Sequence, residues 1–393
     1  MANDFTVLAP KLLGLAFQTL RKRVVPTRVF SRDYDKTAAE KGAVITVPIP
    51  RVASVYDVTP AAVPVTPASK TPLSTTIALD KWKGTNFHIT DKEEAEIDRD
   101  KNFVPMGLAE GVKAIVEQLN ADAWATYKTV FNTVGTSAQT PFQGTAGTAD
   151  YEGVYAATRA RKLLNGELCP RTDRVGILNA DAEANALALA QFRDVSQAGD
   201  TKPILDGEIG RKYGIDWFYD DQVPTHTSTA FSAGAATVNG AHAVGAGSTD
   251  DNRAGTVSIA KATNTSPLVA GDILTFAGDT QTYVVLADVT LAVGNTTVSI
   301  APALRTSKAG AEAVTLKATH VVNLVGHKGA LVIATRPLMK KTSNRRILSL
   351  PDPDTGLILR IEQIDQYKQE MWELDILYGV KLLRPELLCR IAG

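Results

Sequence analysis

The sequence predicts an α+β protein in which a body of helices and strands is interrupted by a small all-β module. Three observations carry this. Leu108, Val112, Ile115, Leu119, Ala123, Tyr127 and Val130 recur every three or four residues, which places them on one face of a long helix. "RVGILNADAEANALALAQF", from Arg174, reads as a strand, an Asn or Asp cap and a helix, the alternation of an α/β layer. From Thr225 to Thr319 helical periodicity stops and Gly, Ala, Ser and Thr dominate.

At the N-terminus, Leu8, Leu12, Leu15, Phe17 and Leu20 form a loose helical stripe that ends in "RKRVVP", with Pro26 as breaker. Met1 to Lys36 holds seven Lys or Arg against three Asp, a local basic bias. Between Val44 and His88 the pattern is extended. "AVITVPIPRV" alternates as a strand does, and "LSTTIALDKWKGTNFHIT" offers a second strand of similar length. The segment between them, "TPAAVPVTPASKTP", carries Pro60, Pro64, Pro67 and Pro72, which remove amide donors and forbid central sheet positions. The result is a long two-armed loop with a stiff tip. A lone two-stranded ribbon is marginal in water, so the loop is expected to lie on a neighbour.

Asn102 can cap the long helix, which is expected to run to about Asn132, roughly 45 Å at 1.5 Å per residue. A second helix follows at Tyr151 to Leu164, and "GRKYGIDWFYDDQVP" supplies another strand and its exit. Within the β module, short strands recur at "TVSIA", "DILTF", "TYVVL", "TTVSI" and "AVTL", punctuated by Gly271, Gly278 and Gly294 at the spacing of a small closed barrel or sandwich. "LVAGDILTFAGDTQTYVVL", from Leu268, is a complete hairpin at its centre. "GALVIATRPL" then restores a buried strand, and alternating strands end the chain. The module is therefore an insertion between two parts of one α/β domain. The divisions expected are residues 1–36, an N-terminal arm; 37–95, the extended hairpin; 96–150, the long helix; 151–222, the first part of the α/β domain; 223–322, the inserted barrel; and 323–393, the return strands.

Composition limits the chemistry. The 393 residues hold 42 Lys or Arg and 42 Asp or Glu, so no global field draws the chain to nucleic acid or acidic lipid. No apolar run approaches the ~20 residues of a membrane span, and the N-terminus lacks a charged region before its apolar part, so a soluble, unsecreted protein is expected. Cys169 and Cys389 have no CxxC companion and read as small buried hydrophobes. There is no phosphate loop, no nucleophile elbow and no His motif for a metal; "GHKGA" lacks the needed spacing. "YDDQVPTH" brings Asp220, Asp221 and His226 close in sequence, but carboxylates at a strand exit are the commoner origin of such a cluster. The insertion has five Lys or Arg, six Asp or Glu and few aromatics, a poor platform for single strands. No catalytic, metal or cofactor site is expected.

A basic arm, a Pro-tipped hairpin, a spine helix and a split α/β domain follow one another in the order of a known family. "GAVITVPIPR", "LDKWKGTNFHITDKE", "GRKYGIDWFYDDQVP" and "LYGVKLLRPELLCRIAG" resemble recurring segments of the major capsid proteins of tailed bacteriophages, the Hong Kong 97-type fold. "DDNRAGTVSIA" followed by "AGDILTFAGD" is similar to the inserted β-barrel of the branch that folds with separate scaffolding. The resemblance implies a self-assembling icosahedral shell, built as hexamers and pentamers in the host bacterial cytoplasm, that encloses double-stranded DNA in the virion. It also implies a scaffolding protein, a portal protein, a possible decoration protein, non-specific DNA contact and no membrane. The barrel would serve as folding nucleus for its parent domain.

Val63 and Val65 at the hairpin tip have no local core to cover them, so the tip, with Lys70, is expected on an adjacent subunit. Some relatives crosslink a Lys to an Asn; nothing marks Lys70 or Asn344 for that role, and crosslinking is not expected. Arg21, Lys22 and Arg23 would face the interior and meet scaffolding, then DNA. The loop "NGAHAVGAGSTDDNRAGT" ends in Asp250, Asp251 and Arg253, opposite charges able to pair with a second copy across a two-fold axis. Two other classes compete: an adhesin-type module holding a ligand on its β insertion, and an encapsulin-like protein compartment.

Overall fold

The computed structural model describes residues 25–30, 44–49, 73–90, 106–137, 139–143, 153–193, 206–231, 235–248, 253–338, 346–352 and 356–393, with most of 10–20 and positions 57 and 60. Two sheets, a closed barrel and a two-stranded ribbon make up most of the regular structure, with helices against the sheets.

The long helix is shorter than its apolar stripe. Met106–Trp124 is α-helical, about 28 Å at 1.5 Å per residue, and Ala125–Thr129 tightens into a 3-10 turn. The stripe continues past the helix because Tyr127 and Val130 are buried against the neighbouring sheet rather than on the helix's own support. Beneath the helix lies a five-stranded sheet in the order Arg346–Pro351, Ile358–Gln366, Gln369–Leu382, Lys81–Thr90, with Leu331–Thr335 beside the far end of the long strand. Gly107 and Gly111 face this sheet. A Cβ at 107 would lie 2.8 Å from Phe87 Cβ, and one at 111 would lie 2.6 Å from Thr85 Cγ2. The helix therefore sits closer to its strand than any side chain would permit. Leu12, Leu13, Ala16, Phe17 and Leu20 pack into the same core. The N-terminal stripe is thus seated on its own body at these residues.

The second strand expected in the hairpin is two strands. Leu73–Ala78 pairs antiparallel with Val44–Ile49, and after Leu79 and Asp80 the chain enters the five-stranded sheet as Lys81–Thr90. The base of the hairpin is also covered locally. Ile45, Val47, Ile77 and Leu79 are buried with Val332, Ala334 and Leu383. The tip, residues 61–72, is outside the described residues.

The α/β layer is a seven-stranded sheet with the central order Leu388–Ala392, His320–His327, Arg174–Leu178, Ile215–Tyr219. Helices Tyr155–Gly166 and Ala180–Ala188 bury Ala156, Ala157, Ala160, Ala182 and Ala186 in its core. Asn179 caps the second of them, its side chain accepting from Ala182 N at 3.3 Å.

Between the seven-stranded sheet's Ile215–Tyr219 and His320–His327 the chain forms a closed barrel. Its strands, in order around the barrel, are Gly255–Lys261, Gly294–Ala301, Tyr283–Val285, Ile273–Phe276, Ala313–Leu316 and Ala236–Val238. The central hairpin pairs Ile273 with Val284 and Leu274 with Tyr283. Ala236–Val238 went unread in the sequence because three residues are too few to show a period. Closure removes the open edges that short strands would otherwise present.

Candidate functional site

The chain leaves for the barrel at Thr225–His226 and returns at His320–Val321, and these two segments pair side by side. The barrel leaves and rejoins the body at this point, and the point is polar and buried. Arg390, on the last strand, is fully buried; its Nη1 donates to Gly271 O at 2.8 Å and its Nη2 to Tyr127 O at 2.7 Å. One guanidinium thus ties the barrel's hairpin to the exit of the long helix. Its carbon lies 5.0 Å from the Tyr127 ring centroid. Burial pushes Arg390 down to about 9, partly offset by Tyr127, Asp272 and Cys389.

A second chain of bonds crosses the same junction. Asp272, fully buried in the barrel, accepts at Oδ1 from His226 Nε2 at 2.9 Å and at Oδ2 from Val269 N at 2.8 Å. A carboxylate can only accept, so the arrangement that satisfies every group has Nε2 donating and Nδ1 accepting from the Tyr127 hydroxyl at 3.0 Å. Burial raises the Tyr127 phenol and keeps it a donor. Gly271 is required here: its φ is +103°, and a Cβ would lie 3.1 Å from His226 Cε1. The hydroxyl, imidazole and carboxylate have the order of a catalytic relay, but Tyr127, His226 and Asp272 are all buried. Their chemistry is to hold three elements in one geometry.

Around this centre the barrel is held at its rim. Arg305 forks onto Glu167, at the end of helix Tyr155–Gly166, at 2.5 and 2.9 Å. Thr282 donates to Phe131 O at 2.5 Å, and Lys317 to Gly135 O at 2.6 Å. Phe131 of the body is buried with Ile273, Val284 and Ala301 of the barrel.

Asp220, Asp221 and His226 are not brought together as a metal set. Asp220 accepts from Trp124 Nε1 at 2.8 Å and burial raises its carboxyl, whereas His226 turns to Asp272. Among the described residues no group of His, Cys, Asp or Glu could hold a metal ion, and no helix is long and apolar enough to cross a membrane. Two clefts of about 200 and 220 Å³ fall below the ~300–1,000 Å³ of small-molecule sites.

Of the residues expected at contacts, Val63, Val65, Lys70, Asp250, Asp251, Arg21, Lys22, Arg23 and Asn344 lie outside the described residues. Arg253 is described, and its guanidinium is engaged within its own chain: Nη2 donates to Glu386 Oε1 at 3.0 Å and Nη1 to Leu383 O at 3.3 Å. Sequence reasoning missed Arg390, Tyr127 and Asp272. Arg390 left one signal, a lone cation in the apolar run "LLCRIA".

The model of a family described as phage capsid protein matches residues 70–267. Among solved structures, one from Mycobacterium phage Che8 is 12% identical over 94% of this chain and 91% of that one, with a TM-score of 0.51. The capsid structure of the cyanophage P-SCSP1u is 12% identical over 90% and 84%, with a TM-score of 0.47. A virus-like particle from Pyrococcus furiosus is 8% identical over 97% and 98%, with a TM-score of 0.43. No curated protein matches.

Proposed function

Because the chain belongs to the phage capsid protein family, and is thereby a major capsid protein that forms the icosahedral shell, we propose that it does so in the Hong Kong 97-type manner, with a separate scaffolding protein, around phage double-stranded DNA. The observation that carries this reading is the order of parts: a hairpin on a five-stranded sheet, a long helix, and an α/β sheet whose chain departs into a closed barrel and returns beside its exit. In this reading residues 1–36 are the arm, 37–95 the extended hairpin, 96–150 the spine, 151–222 and 323–393 the divided body, and 223–322 the insertion. The protein is not an enzyme; subunit contacts are its function.

The hairpin tip, with Val63, Val65 and Lys70, lies on an adjacent subunit. Arg21, Lys22 and Arg23 face the interior, first toward scaffolding and then toward DNA, by charge contacts that salt weakens. Asp250, Asp251 and Arg253 contribute to a two-fold contact, in which Arg253 exchanges its Glu386 partner for a carboxylate of the second copy. A portal protein and a possible decoration protein complete the particle, which is assembled in the bacterial cytoplasm.

Electron microscopy of the protein expressed alone and together with a scaffolding protein from the same genome tests the reading. Closed shells are expected with the partner, and deletion of Ala61 to Ser69 should leave a folded subunit that forms none. Normal shells from that deletion would refute the role of the tip; no shells from the intact protein under any condition would refute the reading itself.

A further inference from the structure

We propose that the five-stranded sheet continues from one copy of the chain into the next, the strand Lys81–Thr90 of one pairing with the strand Arg346–Pro351 of another. The inference rests on the capsid reading and adds to it a contact between two strands of the body.

Among the described residues three strands of the sheet have a single partner, Lys81–Thr90, Arg346–Pro351 and Leu331–Thr335; the first two bound the row of four successive strands, and neither has a paired strand on its outer side. Their outer sides, along residues 81–89 and 346–351, are an invitation to strand addition. The four successive strands are all antiparallel to their neighbours, so the two outer ones run in opposite directions. A second copy set beside the first with the same face up therefore presents Arg346–Pro351 antiparallel to Lys81–Thr90. An odd number of strands would have forced the weaker parallel pairing. The two edges are different, so the contact is heterologous. It repeats from copy to copy and closes into a ring when the rotation allows.

Side chains agree with this pairing. Following the register across the sheet, Gly84, Asp375, Arg360 and Ser349 lie in one row, and Asn86, Glu373, Glu362 and Ile347 in the next. Continuation in register brings Ser349 of one copy beside Gly84 of the other. Gly84 has no side chain and opens a cleft of about 200 Å³ between Trp82, Asn86 and Glu373, with Trp82 62% exposed. At the other edge the Ser349 hydroxyl is buried without a hydrogen-bond partner among the described residues. The exposed Asn86 carboxamide of the second copy can supply one.

The test is a cysteine pair, Asn86→Cys with Ile347→Cys, in assembled shells. Within one chain these positions are three strand spacings apart, roughly 14 Å, while a disulfide needs Cα atoms within about 7 Å. Any bond formed must join two copies. The native Cys169 and Cys389 are buried. Mild oxidation should give a ladder of linked copies on a non-reducing gel, absent in either single variant and abolished by reduction. Shells that stay unlinked, both in this pair and in the shifted pairs Asn86→Cys with Ser349→Cys and His88→Cys with Ile347→Cys, would overturn the pairing and leave the capsid reading standing. Should the variants not assemble, hydrogen exchange on the unaltered protein decides: residues 81–90 and 346–351 should both gain protection on going from free subunit to shell. Unchanged exchange at either strand would overturn the proposal.

Discussion

His320 sits where the barrel's return strand meets its exit strand, 1% exposed, with Nδ1 donating to Ala318 O at 2.8 Å and Nε2 buried without a partner. Arg390, Lys317 and the His226 ring 5.5 Å away surround it with groups that oppose a further positive charge. Burial is the larger cause, and together they pull it down to about 4. In the unfolded chain the same side chain takes up a proton near its ordinary value of about 6.5. Between those two values the unfolded state binds more protons, so stability is full above about pH 6.5 and falls as pH drops toward 4. The slope expected is up to about 1.4 kcal/mol per pH unit. Urea titration of the unassembled subunit at several pH values in this window should show that His320→Phe has a flatter dependence than the parent. Burial also lowers His327, but that contribution is common to both proteins and cancels in the comparison. Equal slopes would mean that His320 takes no part.

The long helix owes its position to what it lacks. Gly107 and Gly111 cost helix stability, about 0.5–1 kcal/mol each relative to Ala, yet they let the backbone rest on Phe87 and Thr85. Gly111→Ala gains propensity and loses fit, since its new methyl would stand 2.6 Å from Thr85 Cγ2 and 3.1 Å from Oγ1. The clash should win by about 1–2 kcal/mol, the usual cost of overpacking. Thr85→Ala removes both close atoms and leaves the nearest contact at an ordinary 3.4 Å. The double variant should therefore recover most of the loss, and a double-mutant cycle by chemical denaturation should report a coupling above about 1 kcal/mol. Additive losses would show that the helix does not rest on this strand.

At the scale of the whole molecule, the barrel is the unit most able to stand alone. Its strands close on themselves around Val257, Ile259, Leu274, Phe276, Tyr283, Val298 and Ile300, all buried. Inside it, Lys308 and Asp279 form an ion pair of 2.9 Å with side chains 2% and 4% exposed, and Tyr283 donates to the same carboxylate. Residues 229–318 expressed alone should fold and melt cooperatively by circular dichroism. They lose the cover of Phe131, the fork between Arg305 and Glu167, and the bonds of Gly271 and Asp272 to Arg390 and His226, so a lower midpoint than in the full chain is expected. A fragment without a cooperative transition would mean that the barrel needs its body to fold.

What the sequence determined by itself was local: the apolar stripe of the long helix, the Asn179 cap, the alternating barrel strands and the Gly punctuation between them are patterns of near neighbours, and the backbone period turns them directly into elements. The family resemblance was legible for the same reason, as an order of such elements. The tertiary structure decided what depends on partners far apart in the chain. Nothing near Asp80 announces that one extended run will serve two sheets; the break follows from Ile77 and Leu79 packing on Val332 while Phe87 and Ile89 pack under the helix. Nothing near Arg390 announces that carbonyls at Gly271 and Tyr127, 119 and 263 residues away, will converge on it. A buried cation is tolerable only where the fold supplies acceptors, and acceptors from distant segments acquire a common position only when the chain has folded.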